Sequence, residues 1–439
     1  MAQDLETRVV RKLQYRILPF AMLLYFVSFL DRVNVGFAAF SMNKAIGLSP
    51  AEFGFGGGIF FIGYILFQVP SNMILYRVGA RAWISRVVIV WGLVSAGSAF
   101  VAGPHSFYAM RFLLGLAESG FFPGILLYLT LWFPTRQRAV AIAAFMAAAP
   151  LSTAIGSPIS GALMELPRMF GLSDWQWLFI LEALPAVVLG FVVSKVLADG
   201  PEKATWLEPE ERDWLIAKLH EERAPAKERA GSLAIAWTAL RDPRVLGLAV
   251  IYSGTSVGLY AVGLWSPLLI KQFGFSPLAV GWINAIPNVV AALGMMLWAR
   301  SSDRKLERTW HVAIPCLLAC AGLVWAGLAQ AAVPAVAALT LVSFGSNACK
   351  GPLWAVPSIF LSGAGAAAGI AWINSLGNIG GFIGPILIGW GKSKWGSYAG
   401  GLDADGAMLA LSAVLMVVMS WQMRRNRSRI TAAKSGVGS

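Results

Sequence analysis

The sequence predicts an all-α integral membrane protein with twelve transmembrane helices in two pseudo-symmetric six-helix halves. Of 439 residues, 57% are hydrophobic and only 13% are charged, whereas about a quarter of a soluble globular chain is charged. The mean hydropathy is +0.66. The apolar segments are long, and one extended polar stretch divides them six and six. These observations exclude a set of ordinary water-soluble domains.

Twelve segments reach the roughly 20 mostly apolar residues that a membrane-spanning helix needs. Their approximate limits are 17–40, 54–76, 82–103, 106–132, 137–164, 175–198, 244–270, 277–299, 310–330, 333–361, 364–390 and 404–423. The domain organisation predicted from them is an N-terminal arm at 1–16, a first half at 17–198, a linker at 199–243, a second half at 244–423 and a tail at 424–439.

The polar linker is expected to form one or two short amphipathic helices on the membrane surface. Pro209 suits a first helical turn, and the acids around it suit a helix start.

The distribution of positive charge predicts the orientation in the membrane. With the amino terminus inside, the segments on that side carry 27 of the 35 lysines and arginines, and the opposite segments carry five. Cytoplasmic loops are the ones enriched in these residues. We therefore expect both termini in the cytoplasm of a cell, with the bacterial inner membrane as the location. The net charge of +13 is loop charge of this kind and does not indicate a nucleic acid partner. The amino terminus has no small-residue cleavage site and is interpreted as a retained arm.

The sequence offers little for enzyme chemistry. It has no cluster of metal ligands, no nucleotide-binding glycine loop and no soluble catalytic domain, so we expect no enzyme activity and no metal or organic cofactor. The three cysteines lie in apolar stretches, where packing is the expected role.

The two halves contain similar segments at equivalent places. NMILYRVGARAW lies between spans 2 and 3, and GMMLWARSSDRKLER lies between spans 8 and 9. GSPISG in span 5 resembles GGFIGPILIG in span 11 in its use of Gly and Pro. Two similar halves with helices interrupted in this way are typical of alternating-access transporters.

Several longer stretches resemble one known family. They are YFVSFLDRVNVGFA, GYILFQVPSNMILYRVGARAW, RFLLGLAESGFFPG, WQWLFILEALPA and PLWAVPSIFLSG followed by AAAGIAWINSLGNIGGFIGP. With the twelve spans, they resemble the anion:cation symporter family of the major facilitator superfamily. That family includes bacterial permeases for sugar acids, tartrate and aromatic carboxylates.

The resemblance implies the major facilitator fold and a gating role for the cytoplasmic signature residues. These are Arg77, Gly79, Arg81, Asp303 and Arg304. One position departs from the family pattern: Tyr76 precedes Arg77 where an acid is usual. Only the second half keeps the Asp-Arg pair, so the charge lock between the halves is expected to be weaker on one side.

Six charged residues lie away from the ends of the predicted spans, three of each sign: Asp31, Arg32, Arg111, Glu118, Glu182 and Lys350. A charge at the bilayer centre costs about 2.5–3.5 kcal/mol on insertion scales, so each one needs a partner or a function. A balanced set indicates that an empty, fully ionised site is close to neutral. An incoming anion then favours protonation of a carboxylate, which predicts co-transport of an anion with H⁺.

The first-half charges suggest particular partners. Arg111 and Glu118 are about 10.5 Å apart along one helix face, so each must reach another helix. We expect Asp31 to pair with Arg111 as a structural and proton-coupling pair, which leaves Arg32 for the substrate and Glu118 as a second titratable group. The resemblance implies the same roles, with Arg32 binding the substrate carboxylate and Asp31 and Glu118 carrying protons. A static packing network of these charges is the alternative.

The remaining first-half candidates are Tyr64, Gln68 and Glu182. Tyr64 and Gln68 lie one turn apart in span 2, where the family uses a tyrosine for substrate hydrogen bonding, with aromatic packing as the alternative. Glu182 is expected to be structural, with snorkelling or pairing near the outer interface. Each of the three histidines lies in a loop or at a helix end, which excludes an imidazole relay.

In the second half, the resemblance places Trp354 and Asn374 at the wall of the binding site. Asn378 shares a helix face with Asn374, and its role is left open between binding and helix packing. Lys350 lies one turn before Trp354. If the Lys350 ammonium group faces a cavity, it suits a substrate with a second acidic or polar group. The alternative is that the side chain snorkels to the outer surface.

The sequence as a whole predicts a monomeric, proton-coupled importer of a small organic carboxylate. Sugar acids, hydroxy-dicarboxylates and aromatic acids all fit, and the partners are this anion, protons and the lipid bilayer. An exporter or antiporter of drugs or metabolites is the alternative within transport. A membrane-bound sensor is the alternative from another class.

Overall fold

A computed structural model describes residues 2–227, 241–357, 360–361 and 363–435. The described chain is almost entirely helical, and its one β-bridge joins Met169 to Leu172. The α-helices are α1 Ala2–Ala45, α2 Pro50–Val78, α3 Ala80–Gly97, α4 Pro104–Glu118, α5 Phe121–Trp132, α6 Thr135–Met146, α7 Ala148–Leu163, α8 Asp174–Val196, α9 Pro209–Lys227, α10 Pro243–Lys271, α11 Pro277–Lys305, α12 Thr309–Leu328, α13 Ala332–Ala348, α14 Lys350–Ala355, α15 Gly363–Gly377, α16 Ile379–Trp395 and α17 Ala399–Ser435.

These helices confirm the predicted fold class. The described residues contain twelve segments that are long and apolar enough to cross a membrane, in the order expected. Several helices run past the predicted ends, because polar residues beyond the bilayer are compatible with helix. The predicted arm is thus helical from Ala2 and continuous with the first span, and α11 continues to Lys305.

The chain folds as two compact units. The first contains Met1–Ala230 and Gly263–Val289, and the second contains Gly231–Val262 and Val290–Ser439. Within the first unit, backbone contacts at Gly161 and Gly281 bring α11 against α7, where a Cβ atom at either glycine would meet backbone atoms of the other helix. The predicted division into halves at the linker stays a prediction.

The linker contains the expected helix start. Pro209 begins α9, with Glu210 and Glu211 in the first turn; residues 228–240 of the linker lie outside the described part. The fully buried side chain of Glu211 accepts a hydrogen bond from Lys12 at 2.7 Å and lies 3.0 Å from Arg8. Burial opposes its ionisation, but the hydrogen bonds from Lys12 and the Glu208 N–H, with the charge of Arg8, outweigh it and lower the pKa of Glu211.

Two glycines allow α2 and α4 to approach closely. A Cβ atom at Gly63 would meet the carbonyl of Phe112, and one at Gly115 would meet the carbonyl of Phe60. Small residues permit such backbone contact between membrane helices. The contact brings Phe60 and the next turn of α2 against the part of α4 that carries its charged residues.

Four spans are each built from two helices. The interruptions fall in spans 4, 5, 10 and 11, between α4 and α5, α6 and α7, α13 and α14, and α15 and α16. These positions are equivalent, six spans apart, as the predicted repeat requires. Pro158 and Pro385, from the two similar segments of spans 5 and 11, lie inside α7 and α16 rather than at the breaks. At one break, the side-chain amide of Asn378 donates to the carbonyl of Asn374 at 2.9 Å.

Candidate functional site

A buried ion pair joins α1 to the end of α4. Arg32 Nε donates to Glu118 Oε2 at 2.9 Å, and the two side chains are 9% and 0% exposed. Glu118 is the last residue of α4, immediately before the break in span 4, so its carboxylate extends across to α1. The sequence required Glu118 to reach another helix, and the structure supplies Arg32 as the partner.

Aromatic rings surround the two guanidinium groups of this unit. The Arg32 guanidinium lies over the ring of Tyr64 at 5.2 Å and over that of Phe60 at 5.4 Å. The Arg111 guanidinium lies 5.1 Å from the same Phe60 ring, and its side chain is buried. Such cation–π contacts gain strength when water is excluded. Sequence reasoning named Tyr64 but missed Phe60, which lies one helical turn before it on the same face.

Asp31 does not form the predicted pair with Arg111. It is 1% exposed, and it accepts hydrogen bonds from Trp91 Nε1 at 2.7 Å and from Ser95 Oγ at 2.8 Å. Asp31 and Arg111 both lie in the described chain, and no ion pair within 4 Å joins them. Adjacent positions in α1 point about 100° apart, so Asp31 faces α3 while Arg32 faces α4. In the sequence, the only indication of this pairing was that Trp91 and Ser95, two hydrogen-bond donors, lie one turn apart in an apolar span.

Glu182 is also buried, and the predicted snorkelling is wrong. Its side chain is 3% exposed, and Oε1 accepts a hydrogen bond from Ser160 Oγ at 2.6 Å. Its second oxygen, Oε2, is buried with no hydrogen-bond partner among the described residues. Packing of α8 against α1 and α3 encloses the side chain, because Glu182 lies on the inner face of α8.

One buried charge was overlooked in the sequence. Asp405, in the second turn of α17, is 0% exposed, and neither carboxylate oxygen has a hydrogen-bond partner in the described chain. The balanced set of six charges therefore left out a buried acid near a span end. Two histidines also begin span helices, since His105 and His311 lie in the first turns of α4 and α12.

The predicted second-half residues lie around the break in span 10 and in span 11. Lys350 is the first residue of α14 and is partly buried, and no carboxylate among the described residues lies within 4 Å of it. Trp354, one turn later, packs edge-to-face on Tyr252 at 5.0 Å. Asn374 in α15 is partly buried, whereas Asn378 is buried and its amide is engaged at the helix break.

The first signature segment is a tight turn between α2 and α3. Gly79 has φ +92°, a region that strains residues with a Cβ. The turn allows the backbone N–H of Arg81 to donate to Asp199 Oδ1 at 3.1 Å, and the Arg81 side chain donates to the carbonyl of Ser194. Arg77 is exposed. Asp199, at the end of span 6, was missed by the sequence analysis.

In the second signature, the acid pairs with a residue outside the Asp-Arg motif. Asp303 accepts from Arg308 at 2.6 Å rather than from the adjacent Arg304, which is exposed. Glu307 closes the same turn, since it accepts from the ring of His311 at 2.7 Å and from the first N–H groups of α12. Burial opposes its ionisation, but these hydrogen bonds outweigh it and lower the pKa of Glu307.

Residues 21–385 match the family model described as Major Facilitator Superfamily. The chain belongs to this superfamily. It is therefore a multi-pass membrane transporter and not an enzyme.

Relatives of this facilitator include several transporters. It is 56% identical to an Agrobacterium vitis protein named "Putative tartrate transporter", over 98% of this chain and 99% of that one. It is 37% identical to the "Quinolone resistance transporter" of Acinetobacter baumannii, over 97% and 98% of the two chains. Among solved structures, a bacterial homologue of the human lysosomal transporter Spinster, inward-facing and unoccupied, aligns with a TM-score of 0.76, at 17% identity over 93% of this chain and 97% of that one. That likeness concerns the fold alone.

Proposed function

We propose that this facilitator is a proton-coupled importer of a small organic carboxylate anion. The observation that carries the proposal is the buried ion pair between Arg32 and Glu118. A guanidinium offers a planar fork that matches a carboxylate, and here its partner is a carboxylate that a proton can neutralise. Substrate anion and Glu118 compete for the same cation. Protonation of Glu118 therefore releases Arg32 to the substrate.

The buried charges of the first unit support coupling to protons. Among the described residues of its spans, three buried carboxylates accompany two guanidinium groups: Asp31, Glu118 and Glu182 with Arg32 and Arg111. Fully ionised, this set carries one net negative charge. An entering anion adds another, in surroundings where uncompensated charge is costly. Uptake of a proton with each substrate carboxylate removes that cost, which makes H⁺ the coupling ion.

The substrate class proposed here is a hydroxy-dicarboxylate such as tartrate, within the wider class of small organic acids. The relative named for tartrate supports this choice, since it is 56% identical over almost the full length of both chains. Lys350 is a second cation without a carboxylate within 4 Å among the described residues, and we propose that it binds a second acidic or polar group. We also propose that Trp354 and Asn374 of the second unit, and Tyr64 of the first, are substrate-binding residues.

We further propose that the protein works as a monomer in the bacterial inner membrane with both termini in the cytoplasm. The concentration of Lys and Arg in the segments on that side supports this orientation. The signature residues Arg77, Gly79, Arg81, Asp303 and Arg304 are proposed to control opening on the cytoplasmic side.

The test is uptake of labelled tartrate by purified protein in proteoliposomes. With an inward proton gradient, tartrate should accumulate above equilibrium, and a protonophore should abolish the accumulation. Acceleration of tartrate uptake without accumulation would contradict proton coupling. Failure to transport a panel of mono- and dicarboxylates would contradict the substrate class.

Drug export is a second candidate function, favoured by the identity of 37% to the quinolone resistance protein. Inside-out vesicles distinguish the two functions. An exporter should take up a quinolone into such vesicles with a proton gradient outward from the lumen. A carboxylate importer should show no gradient-dependent uptake of the quinolone.

A further inference from the structure

Glu182 is a buried carboxyl group that enters the charge balance above but has no assigned role in binding the substrate or in carrying the coupled proton. It lies in α8. Its Oε1 accepts a hydrogen bond from Ser160 of α7, and its Oε2 has no hydrogen-bond partner among the described residues. The described chain places no lysine, arginine or histidine within 4 Å of it. A buried carboxylate without a compensating cation is strongly disfavoured, and such a group usually remains neutral by holding a proton.

Among the described residues, one other ionisable group acts on Glu182. α8 packs against α1, α3 and α7. From α1, Asp31 is near enough for its charge to repel that of Glu182. From α3, Trp91 and Ser95 donate to Asp31 and stabilise its ionised form. From α7, Ser160 is a neutral donor. Whenever Asp31 is ionised, a second ionised carboxylate at Glu182 is still less favourable.

Asn34 provides a partner for either protonation state. It is 0% exposed and lies beside Glu182, and both atoms of its amide are buried without a hydrogen-bond partner in the described chain. The amide oxygen can accept from a protonated carboxyl, and the amide nitrogen can donate to an ionised one. A group that serves both states suits a site that gains and loses a proton.

We propose that Glu182, with Asn34 and Ser160, is a proton-binding site of the first unit and that it holds its proton at neutral pH. The ligand is H⁺. The site replaces the structural role that the sequence suggested for Glu182. It does not depend on the substrate or on the direction of transport, so it stands or fails separately from the function proposed above.

Infrared spectroscopy of the purified protein tests the proposal, because protonated carboxyl groups have a separate C=O band. At neutral pH, Glu182→Gln should lose one such band relative to the wild type. Glu182→Asp keeps an acid and should retain a band. The matched control Glu165→Gln alters an exposed glutamate at the end of span 5 and should leave the spectrum unchanged. A full wild-type band in folded Glu182→Gln would overturn the proposal.

A second measurement needs no variant and covers the case in which Glu182→Gln does not fold. Dicyclohexylcarbodiimide couples to protonated carboxyl groups in apolar surroundings. Peptide mapping of wild-type protein labelled at neutral pH should find the adduct on Glu182 and not on Glu165. An adduct that is absent from Glu182 while other buried carboxyl groups in the same sample are labelled would overturn the proposal.

Discussion

Removing the charge of Glu118 should separate substrate binding from proton coupling. In Glu118→Gln, the side chain keeps its size and its carbonyl oxygen, but the counter-charge of Arg32 is lost. The charge centres of a pair with a 2.9 Å contact are about 4 Å apart, which gives an attraction of about 4 kcal/mol at an effective dielectric constant of about 20. In the wild type, an anionic substrate must overcome this attraction to reach Arg32.

We expect about a third of this attraction to appear in substrate binding, because the glutamine oxygen still accepts a hydrogen bond and the substrate must shed water. That fraction corresponds to roughly tenfold tighter binding at neutral pH. Affinity should rise in the wild type as the pH falls and Glu118 takes up a proton. The affinity of the variant should depend much less on pH.

Calorimetric titration of tartrate at several pH values measures the affinity, and proteoliposomes measure transport. Glu118→Gln should retain exchange of internal for external tartrate but lose accumulation driven by a proton gradient. Glu202→Gln, which changes an exposed glutamate, is the control and should resemble the wild type. Weaker binding by Glu118→Gln at every pH, together with normal gradient-driven accumulation, would refute the reasoning.

Three further substitutions test separate parts of the protein. Arg32→Lys should lower tartrate affinity at least tenfold in calorimetry while the melting temperature stays near that of the wild type, since lysine lacks the planar fork; unchanged affinity would remove Arg32 from the site. Lys350→Ala should weaken uptake of a dicarboxylate more than that of a matched monocarboxylate, and equal effects would return Lys350 to a snorkelling role. Glu211→Gln should destabilise the protein by about 1–2 kcal/mol near neutral pH, less than a fully buried pair because its cations are partly exposed, whereas Glu210→Gln should change the melting temperature little. The pKa of Glu211 is lowered on folding, so its stabilisation is present above the unfolded pKa and is lost as the pH falls through the folded pKa. The melting temperatures of the wild type and Glu211→Gln should therefore converge in acid. A difference that stays constant with pH would contradict this.

The spans and the repeat could be predicted from the sequence because hydrophobicity over about 20 residues is a strong local signal. The helix start at Pro209 depended on equally local chemistry. The pairing of Asp31 could not be predicted in the same way. Two adjacent residues on α1 each had a choice of neighbouring helices, and spacing along one helix does not show which neighbour it faces.

The residues that the sequence misassigned or missed share one physical explanation. Glu182 was assigned to the outer interface from its distance along the span, but burial depends on which face of α8 packs against other helices. Asp405 was overlooked for the reverse reason, because it lies near a span end where acids are usually exposed. Phe60 carried no chemical signal in a sequence with 25 phenylalanines. In each case, the missing information was tertiary contact.

The position of Phe60 has a consequence for how the site responds to acidity. Both guanidinium groups lie about 5 Å from this ring, so an aromatic face substitutes for some of the water that a buried cation loses. Neither the ring nor the guanidinium groups titrate in the physiological range. The two guanidinium groups therefore stay charged throughout the physiological pH range. In this unit, the carboxylates that face them carry the response to protons.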